Sequence, residues 1–340
     1  MTKERFDVLG VGNAVVDVFT HTDTQFLTEH QITKGSMSLI ESTRAEYLYH
    51  LMSSRTLVSG GSAANTIAGL ASLESRCAFI GKVSNDHLGQ FFRRDMQKLG
   101  VTFQTTPIAN NVPTAQSLIF VTPDADRTMN TFLGASFHLS PQDLDETLIQ
   151  NSKISYLEGY LQDHPDKNNL FLKVAHIAHQ SNQKIALSLS DPLCVDRHRR
   201  NLQSFVSHHS DLVFSNEEEA LSLYQTHSLA QAINALQQSC PLAVITRGAQ
   251  TIIVITSKNI EEIPTEPVSK LIDTTGAGDQ FAAGFLYGFT HNKPADTCAR
   301  LGAICAAEVI SHNGARPHKR ITFLEDSLPS INPMKDKGSG

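Results

Sequence analysis

The sequence predicts an α/β fold, a mostly parallel central sheet flanked by helices with a small inserted β-sheet, and three observations carry that reading. Short β-branched runs alternate with longer amphipathic segments, the pattern of parallel strands joined by covering helices. Two stretches break the alternation with strand-like spacing and turn residues, as an inserted sheet would. The length is sufficient: 340 residues, 40% hydrophobic and 18% charged, supply a large packed core without the polar bias of disorder.

In order along the chain, FDVLGVG (6–12) reads as the first strand and SAANTIAGLASL (62–73) as a helix. RCAFIGKV (76–83) reads as a strand, and HLGQFFRRDMQKLG (87–100) as a helix stopped by Gly100. Strands are expected over 153–160, 184–190, 211–216, 241–248 and 251–256, the last two as a hairpin edge, with helices over 170–182 and 217–224. Two further helices run through GAGDQFAAGFLYGF (276–289) and DTCARLGAICAAEVIS (296–311), whose Ala and Gly content predicts close packing. Residues 15–41 and 101–136 have little helical period and are assigned to one small β lid over the strand ends. The large α/β domain then takes 1–14, 42–100 and 137–330, and a disordered tail is expected at 331–340.

Composition excludes several classes. A net charge of -6 and the absence of any run of five like charges disfavour nucleic acid and anionic membrane as partners. Cys77, Cys194, Cys240, Cys298 and Cys305 form no CxxC, so neither a disulfide framework nor a zinc ribbon is present, and reduced thiols fit a cytoplasmic location. Asp7 and Asp17 interrupt what would be the apolar core of a signal peptide, and no apolar stretch of about 18 residues could span a bilayer. Gly10-Val11-Gly12 hints at a dinucleotide fingerprint, but Val15 stands where its third glycine belongs; a P-loop is also absent. The fifteen histidines show no metal-ligand spacing.

The strongest chemical signal is DTTGAGDQFAAGF, where Asp273 to Asp279 encloses two glycines and runs straight into an apolar helix. Gly276 and Gly278 permit tight backbone, and the amides of Ala277, Gly278 and Asp279 at a helix N-terminus favour a phosphate. A carboxylate beside such an anion hole repels the ligand, yet it suits a base that takes the proton of a hydroxyl attacking phosphorus. A Gly-rich turn with an Asp near the N-cap is the plain structural alternative, and the wider sequence decides between them.

DTTGAGDQFAAGFLYG resembles the C-terminal signature of the ribokinase (PfkB) family of carbohydrate and nucleoside kinases. The family's earlier signature, two glycines and then an Asn at a helix start, is matched by Gly60-Gly61-Ser62-Ala63-Ala64-Asn65; Gly81-Lys82-Val83, Asp86 and Gly89 follow at the expected distance. The resemblance implies a ribokinase-like fold with a closing lid and ATP-dependent phosphoryl transfer to a hydroxyl. It implies Asp279 as catalytic base, with Gly276, Ala277 and Gly278 forming the anion hole.

For the substrate, the resemblance implies Asn13, Asp17 and Asn65 with the wall of Gly60, Gly61 and Ser62, and Met37 and Leu39 of the lid against a base. It brings Arg127 toward the transferring phosphoryl, with a solvated surface position as the alternative. Asn216 and Glu219 resemble the Asn-x-x-Glu motif of the Mg²⁺, water and phosphate network, Glu219 reaching the metal through water. Thr246, Arg247 and Gly248 resemble an ATP-contacting element, and Asn313 and Gly314 the segment that closes over adenine. Asp273 and Thr275 mark the family's monovalent-cation site for K⁺, although His318 stands where a small hydroxyl residue is common. The implied cofactor is Mg²⁺, ATP is the implied co-substrate, and the chain is a monomer or a homodimer.

Asn13, directly after Gly12 and four residues before Asp17, is similar to adenosine kinases and their bacterial relatives more than to ribokinase proper. Adenosine, phosphorylated on its 5′-hydroxyl, is therefore the first expectation. A furanose such as ribose or fructose, and a non-catalytic nucleoside-binding role, stand as the alternatives.

Overall fold

In the computed structural model, which describes residues 5–109, 112–124 and 126–318, the apolar runs become strands in chain order. They are β1 (Phe6–Val11), β2 (Val15–His21), β3 (Met37–Leu39), β4 (Thr56–Gly60), β5 (Cys77–Ile80), β6 (Ala115–Val121) and β7 (Arg127–Phe132). The later ones are β8 (Ser152–Glu158), β9 (Lys184–Ser188), β10 (Leu212–Asn216), β11 (Leu242–Thr246), β12 (Ile252–Thr256) and β13 (Ile260–Ile263). The first helices are α1 (Thr24–Glu29), α2 (Ser42–Leu51), α3 (Ser62–Ser72), α4 (His87–Lys98), α5 (Glu146–Gln150) and α6 (Lys167–Gln180). They are followed by α7 (Pro192–His209), α8 (Glu217–Tyr224), α9 (Leu229–Ser239), α10 (Ala277–Thr290) and α11 (Ala295–Val309).

The larger sheet runs β13-β12-β11-β10-β9-β8-β1-β5. From β5 through β11 each neighbouring pair is parallel, and β12 and β13 add an antiparallel edge. Its strands are buried on both faces, as a parallel sheet between helical layers requires. Val8, Tyr156 and Phe214 pack with α3, α10 and α11, while Leu9, Leu157 and Leu187 pack with α6, α7 and α9. The helix pairs approach closely because small residues face each other: a Cβ on Gly69 would lie 2.8 Å from the Ala283 Cβ, and one on Gly288 2.9 Å from Cys298 Sγ.

The smaller sheet runs β3-β7-β6-β2-β4. One face, with Val16, Val18, Leu118 and Phe120, buries Leu27 of α1, Leu48 of α2 and Phe92 of α4. Alternation turns the next residues to the opposite face. There Leu39, Thr131, Ser117 and Asp17 form one register row across four strands, and Met37, Met129, Ile119 and Phe19 form the next.

Several elements differ from the sequence reading. Thr56–Gly60, expected within the larger layer, is an edge strand of the smaller sheet, pairing antiparallel with β2. The 15–41 stretch contains α1, whose start is fixed by Asp23 accepting from the Phe26 amide, a capping signal outweighed in the sequence by strand-like alternation. α7, α9 and β13 were not anticipated. The tail expected at 331–340 lies outside the described residues.

The chain leaves β1 toward β5 on one side, whereas β8 and its successors extend the sheet on the other. The switch between β1 and β8 opens a crevice at the carboxyl ends of the strands, where ligands bind in such sheets. Gly12, Asn13, Glu158, Ser188, Asn216 and Thr246 all stand at those ends or immediately beyond.

Candidate active site

α10 begins at the crevice. Its N-cap, Gly276, has φ 79°, and a Cβ there would meet the Ala315 Cα at 2.6 Å, so a side chain is refused on both counts. One turn in, Asp279 Oδ1 accepts from Ser62 Oγ at 2.7 Å and Oδ2 accepts from Asn65 Nδ2 at 3.1 Å, both donors lying in the first turn of α3. Desolvation pushes the Asp279 carboxyl up to about 6, against the pull of those hydrogen bonds and of the Arg316 guanidinium. The Ala277 amide, expected in the anion hole, donates to Thr274 O at 3.2 Å. The Gly278 and Asp279 amides find no acceptor among the described residues and are the donors left for an anion.

Asp17 comes from β2 and is half-buried. Burial drives its carboxyl up to about 7; the Arg316 and Arg127 guanidiniums oppose this and Asp279 adds to it. Asn13 is held at both ends, its amide donating to Glu158 Oε1 at 2.7 Å and its Oδ1 paired with His164 Nε2 at 2.9 Å. Glu158, wholly buried at the end of β8, also accepts from the Ala63 amide through Oε2 at 2.8 Å. One carboxylate thus joins the β1–β2 turn to the start of α3, and burial pushes it up to about 7. Gly61, φ 94°, packs its Cα against Asn13 O, where a Cβ would collide. The sequence reading missed Glu158 and His164; a carboxylate inside the apolar run KISYLEGY was the available signal for the first.

Beyond Asp279 a cavity is lined by Gly276, Gly278, Asn216, Glu219 and Thr246, and also by Ser188 and Ser190, which were not anticipated. Asn216 and Glu219 form a reciprocal capping box: Asn216 Oδ1 accepts from the Glu219 amide, and Glu219 Oε2 from the Asn216 amide at 3.0 Å. Burial raises the Glu219 carboxyl to about 7. Among the described residues no three His, Cys, Asp or Glu side chains gather as a metal cage. A single carboxylate beside an anion-binding helix end fits Mg²⁺ that arrives on ATP phosphates and keeps most of its water. Arg247 pairs instead with Glu217 at 2.7 Å, and Gly248, φ 59°, occupies the turn beyond β11.

Arg127 on β7 reaches out of the smaller sheet to Asp273, with Nη1 2.7 Å from Oδ2 and 3.2 Å from Thr275 Oγ1, and Nη2 3.3 Å from Asn313 Oδ1. Asp273 also accepts from Thr275 N and Oγ1 on Oδ1 and from Gly314 N on Oδ2. Burial pushes this carboxyl up, but those donors and Arg127 more than offset it and hold it below the usual range. The guanidinium therefore occupies the carboxylate expected to hold K⁺, and the residues so arranged do not fit that ion. Asn313 and Gly314 belong to the same cluster, and His318 stacks on His312 at 3.7 Å. Met37 lies on the edge strand, 49% exposed, on the Asp17 face.

With the geometry in place, comparison with known proteins is specific. The pattern of the pfkB family carbohydrate kinases matches residues 35–321. The solved adenosine kinase from Sinorhizobium meliloti is 41% identical, covering 95% of this chain and 99% of that one with a TM-score of 0.88. A probable sugar kinase protein from Rhizobium etli is also 41% identical, over 95% and 97%, with a TM-score of 0.87. The adenosine kinase of Saccharomyces cerevisiae is 24% identical over 92% of this chain and 97% of that protein.

Proposed function

Since the chain belongs to the pfkB family of carbohydrate kinases, and so is a phosphotransferase acting on a hydroxyl group, we propose that its acceptor is the 5′-hydroxyl of a nucleoside, adenosine first, with Mg·ATP as donor. The observation that carries this reading is the row Asp17, Ser117, Thr131 and Leu39 on one face of the smaller sheet. Its polar end offers a carboxylate to sugar hydroxyls. Its other end opens into a mostly apolar cleft with Leu39, Ile40, Val112, Pro113, Phe132 and Phe137, rimmed by Glu41, Ser42 and His138, against which a flat base can lie. A free furanose would use only the first.

In this reading Asp17, Asn13 and Asn65 orient the ribose beside the Gly60, Gly61 and Ser62 wall, and Met37 and Leu39 lie toward the base. Asp279 accepts the proton of the 5′-hydroxyl as its oxygen attacks the γ-phosphorus; the bond from phosphorus to the β–γ bridging oxygen breaks and ADP departs. A carboxylate raised to about 6 is ionised at neutral pH yet basic enough to take that proton. The Gly278 and Asp279 amides face the negative charge, and Arg127, on the Asp17 face, is a cation available to the phosphoryl group while it stays paired with Asp273. Asn216, Glu219 and Thr246, with Arg247, Gly248, Asn313 and Gly314 nearby, form the ATP side. Mg²⁺ bound with ATP neutralises charge on its phosphates.

A furanose acceptor is the second reading, because the Rhizobium etli protein of equal identity is named a probable sugar kinase. The deciding experiment is Mg·ATP-dependent ADP release with adenosine, inosine, guanosine, ribose and fructose in parallel, the product located by phosphorus NMR. The Asp279→Asn protein controls for contaminating kinases. Turnover of adenosine to its 5′-phosphate is expected; turnover of free sugars alone would overturn the acceptor assignment and leave the base in place.

A further inference from the structure

Arg316 carries no role in the motifs of the sequence, yet it stands at the centre of the site's charges. Its Nη1 lies 2.8 Å from Asp95 Oδ2 on α4, its Nη2 faces Met96 Sδ at 4.0 Å, and its Nε donates to Asn65 Oδ1 at 3.0 Å. The loop before it is stitched down by Gln280 Nε2, which donates to Asn65 O at 3.0 Å and to Ala315 O at 2.9 Å.

We propose that Arg316 is a positioning residue for phosphoryl transfer: anchored on Asp95, it fixes the Asn65 amide so that Nδ2 faces Asp279, and it sets one positive charge against both Asp17 and Asp279. The inference rests on Asp279 being the base. An amide whose oxygen is claimed by a guanidinium can offer only its N–H₂ elsewhere, and that group reaches Asp279 Oδ2 at 3.1 Å. Freed of Arg316, the amide could turn its oxygen toward the carboxylate and lose the bond. The charge matters as much as the contact. Asp279 is faced by Ser62 and Asn65 from α3, Asp17 from β2, Tyr156 and Glu158 from β8 and Tyr160 just beyond; Arg316 is the cation acting on it, while Arg127 acts on Asp17. Two carboxylates facing one acceptor repel each other, and a shared guanidinium offsets that repulsion without touching the phosphoryl path.

The test is the pH profile of kcat with adenosine and Mg·ATP for Arg316→Gln, Arg316→Lys and Asp95→Asn, beside Asp279→Asn. Arg316→Gln is expected to move the acid limb of kcat up by about one pH unit, so that the deficit near pH 6 is about fivefold larger than near pH 8. Arg316→Lys should restore most of the limb while leaving kcat low, because the charge returns and the hold on Asn65 does not. Asp95→Asn should lower kcat at every pH with the limb unmoved. An unshifted limb in a folded Arg316→Gln protein overturns the inference; should that variant fail to fold, a parental kcat in Asp95→Asn overturns it. If Asp279→Asn is inactive and Arg316→Gln keeps the parental limb, this inference alone falls. If Asp279→Asn keeps its kcat, the base assignment falls and the inference falls with it.

Discussion

Gly60 backs onto Asp17 so closely that a Cβ at position 60 would stand 2.7 Å from the Asp17 Cγ. The missing side chain is what leaves the carboxylate its place on the face of the smaller sheet. Gly60→Ala must therefore rotate Asp17 or part β2 from β4, and in either case the acceptor loses a hydroxyl partner. The expected result is a KM for the acceptor raised about tenfold, the equivalent of about 1.4 kcal/mol of lost hydrogen bonding, with the KM for ATP nearly unchanged. Steady-state kinetics with each substrate varied in turn check this; an equal rise in both constants would mean general loosening of the site.

Much of the fold was legible because long periodic segments declare themselves. α3, α8 and α10 were anticipated nearly to the residue, each beginning at a Gly or Asn signal and continuing as an unbroken helical pattern. The short β4 was not, because five residues reading TLVSG hold no sign of which sheet they will join. Ser62 Oγ meets Asp279 across 217 residues of sequence, a convergence that spacing cannot disclose and that only the paired glycine motifs suggested. Arg316 had no local signal at all: its role comes from Asp95 and Asn65, which meet it only in three dimensions. The occupancy of Asp273 by Arg127 is of the same kind, since a strand residue and a loop residue come together only when the two sheets face each other.

Stability and activity should move in opposite directions with pH. An acid whose pKa is raised on folding binds protons preferentially in the folded state, so its contribution is complete below the unfolded value and lost as pH rises through the folded one. Asp17, Glu158 and Glu219, each near 7, and Asp279, near 6, are all of this type. Asp163 and Asp273 are lowered and act oppositely, but only in more acid solution. The melting temperature is therefore expected to rise as pH falls from about 8 to about 6, while kcat/KM falls because Asp279 must be ionised to take the hydroxyl proton and Asp17 to accept hydrogen bonds from the sugar hydroxyls. Melts and initial rates across that range check the pair; parallel losses of both would assign the acid limb to unfolding instead.

Glu158→Gln tests how strictly the two walls of the site are joined. The carboxylate offers one oxygen to the Asn13 amide and the other to the Ala63 amide. Glutamine has a single oxygen, so its N–H₂ must confront one of those N–H groups, at a cost of about 1–3 kcal/mol. The variant should melt lower and bind the acceptor more weakly, and its melting deficit should be smaller near pH 8 than near pH 6, because the parent's Glu158, raised to about 7, loses its stabilising contribution as it ionises while the glutamine does not titrate. A deficit independent of pH would mean that shape rather than charge sets the spacing of Asn13 and α3.

The Arg127 guanidinium makes a monovalent cation redundant at Asp273. Both carboxylate oxygens are engaged, Oδ1 by Thr275 and Oδ2 by Gly314 and Arg127, and the Thr275 hydroxyl is shared with the same guanidinium. An ion entering this cluster would have to displace a charge-assisted pair and repel the guanidinium it displaced. Replacing K⁺ by choline at constant ionic strength should accordingly change kcat by less than about twofold, which is under half a kcal/mol of barrier. Arg127→Ala should lower kcat by about a hundredfold or more, the scale of losing one preorganised donor to a developing anion, while leaving acceptor affinity nearly intact. A parental enzyme that stalls without K⁺ would show that Arg127 leaves Asp273 before the ion binds, and the ion pair would then mark the resting arrangement of the two sheets rather than the working one.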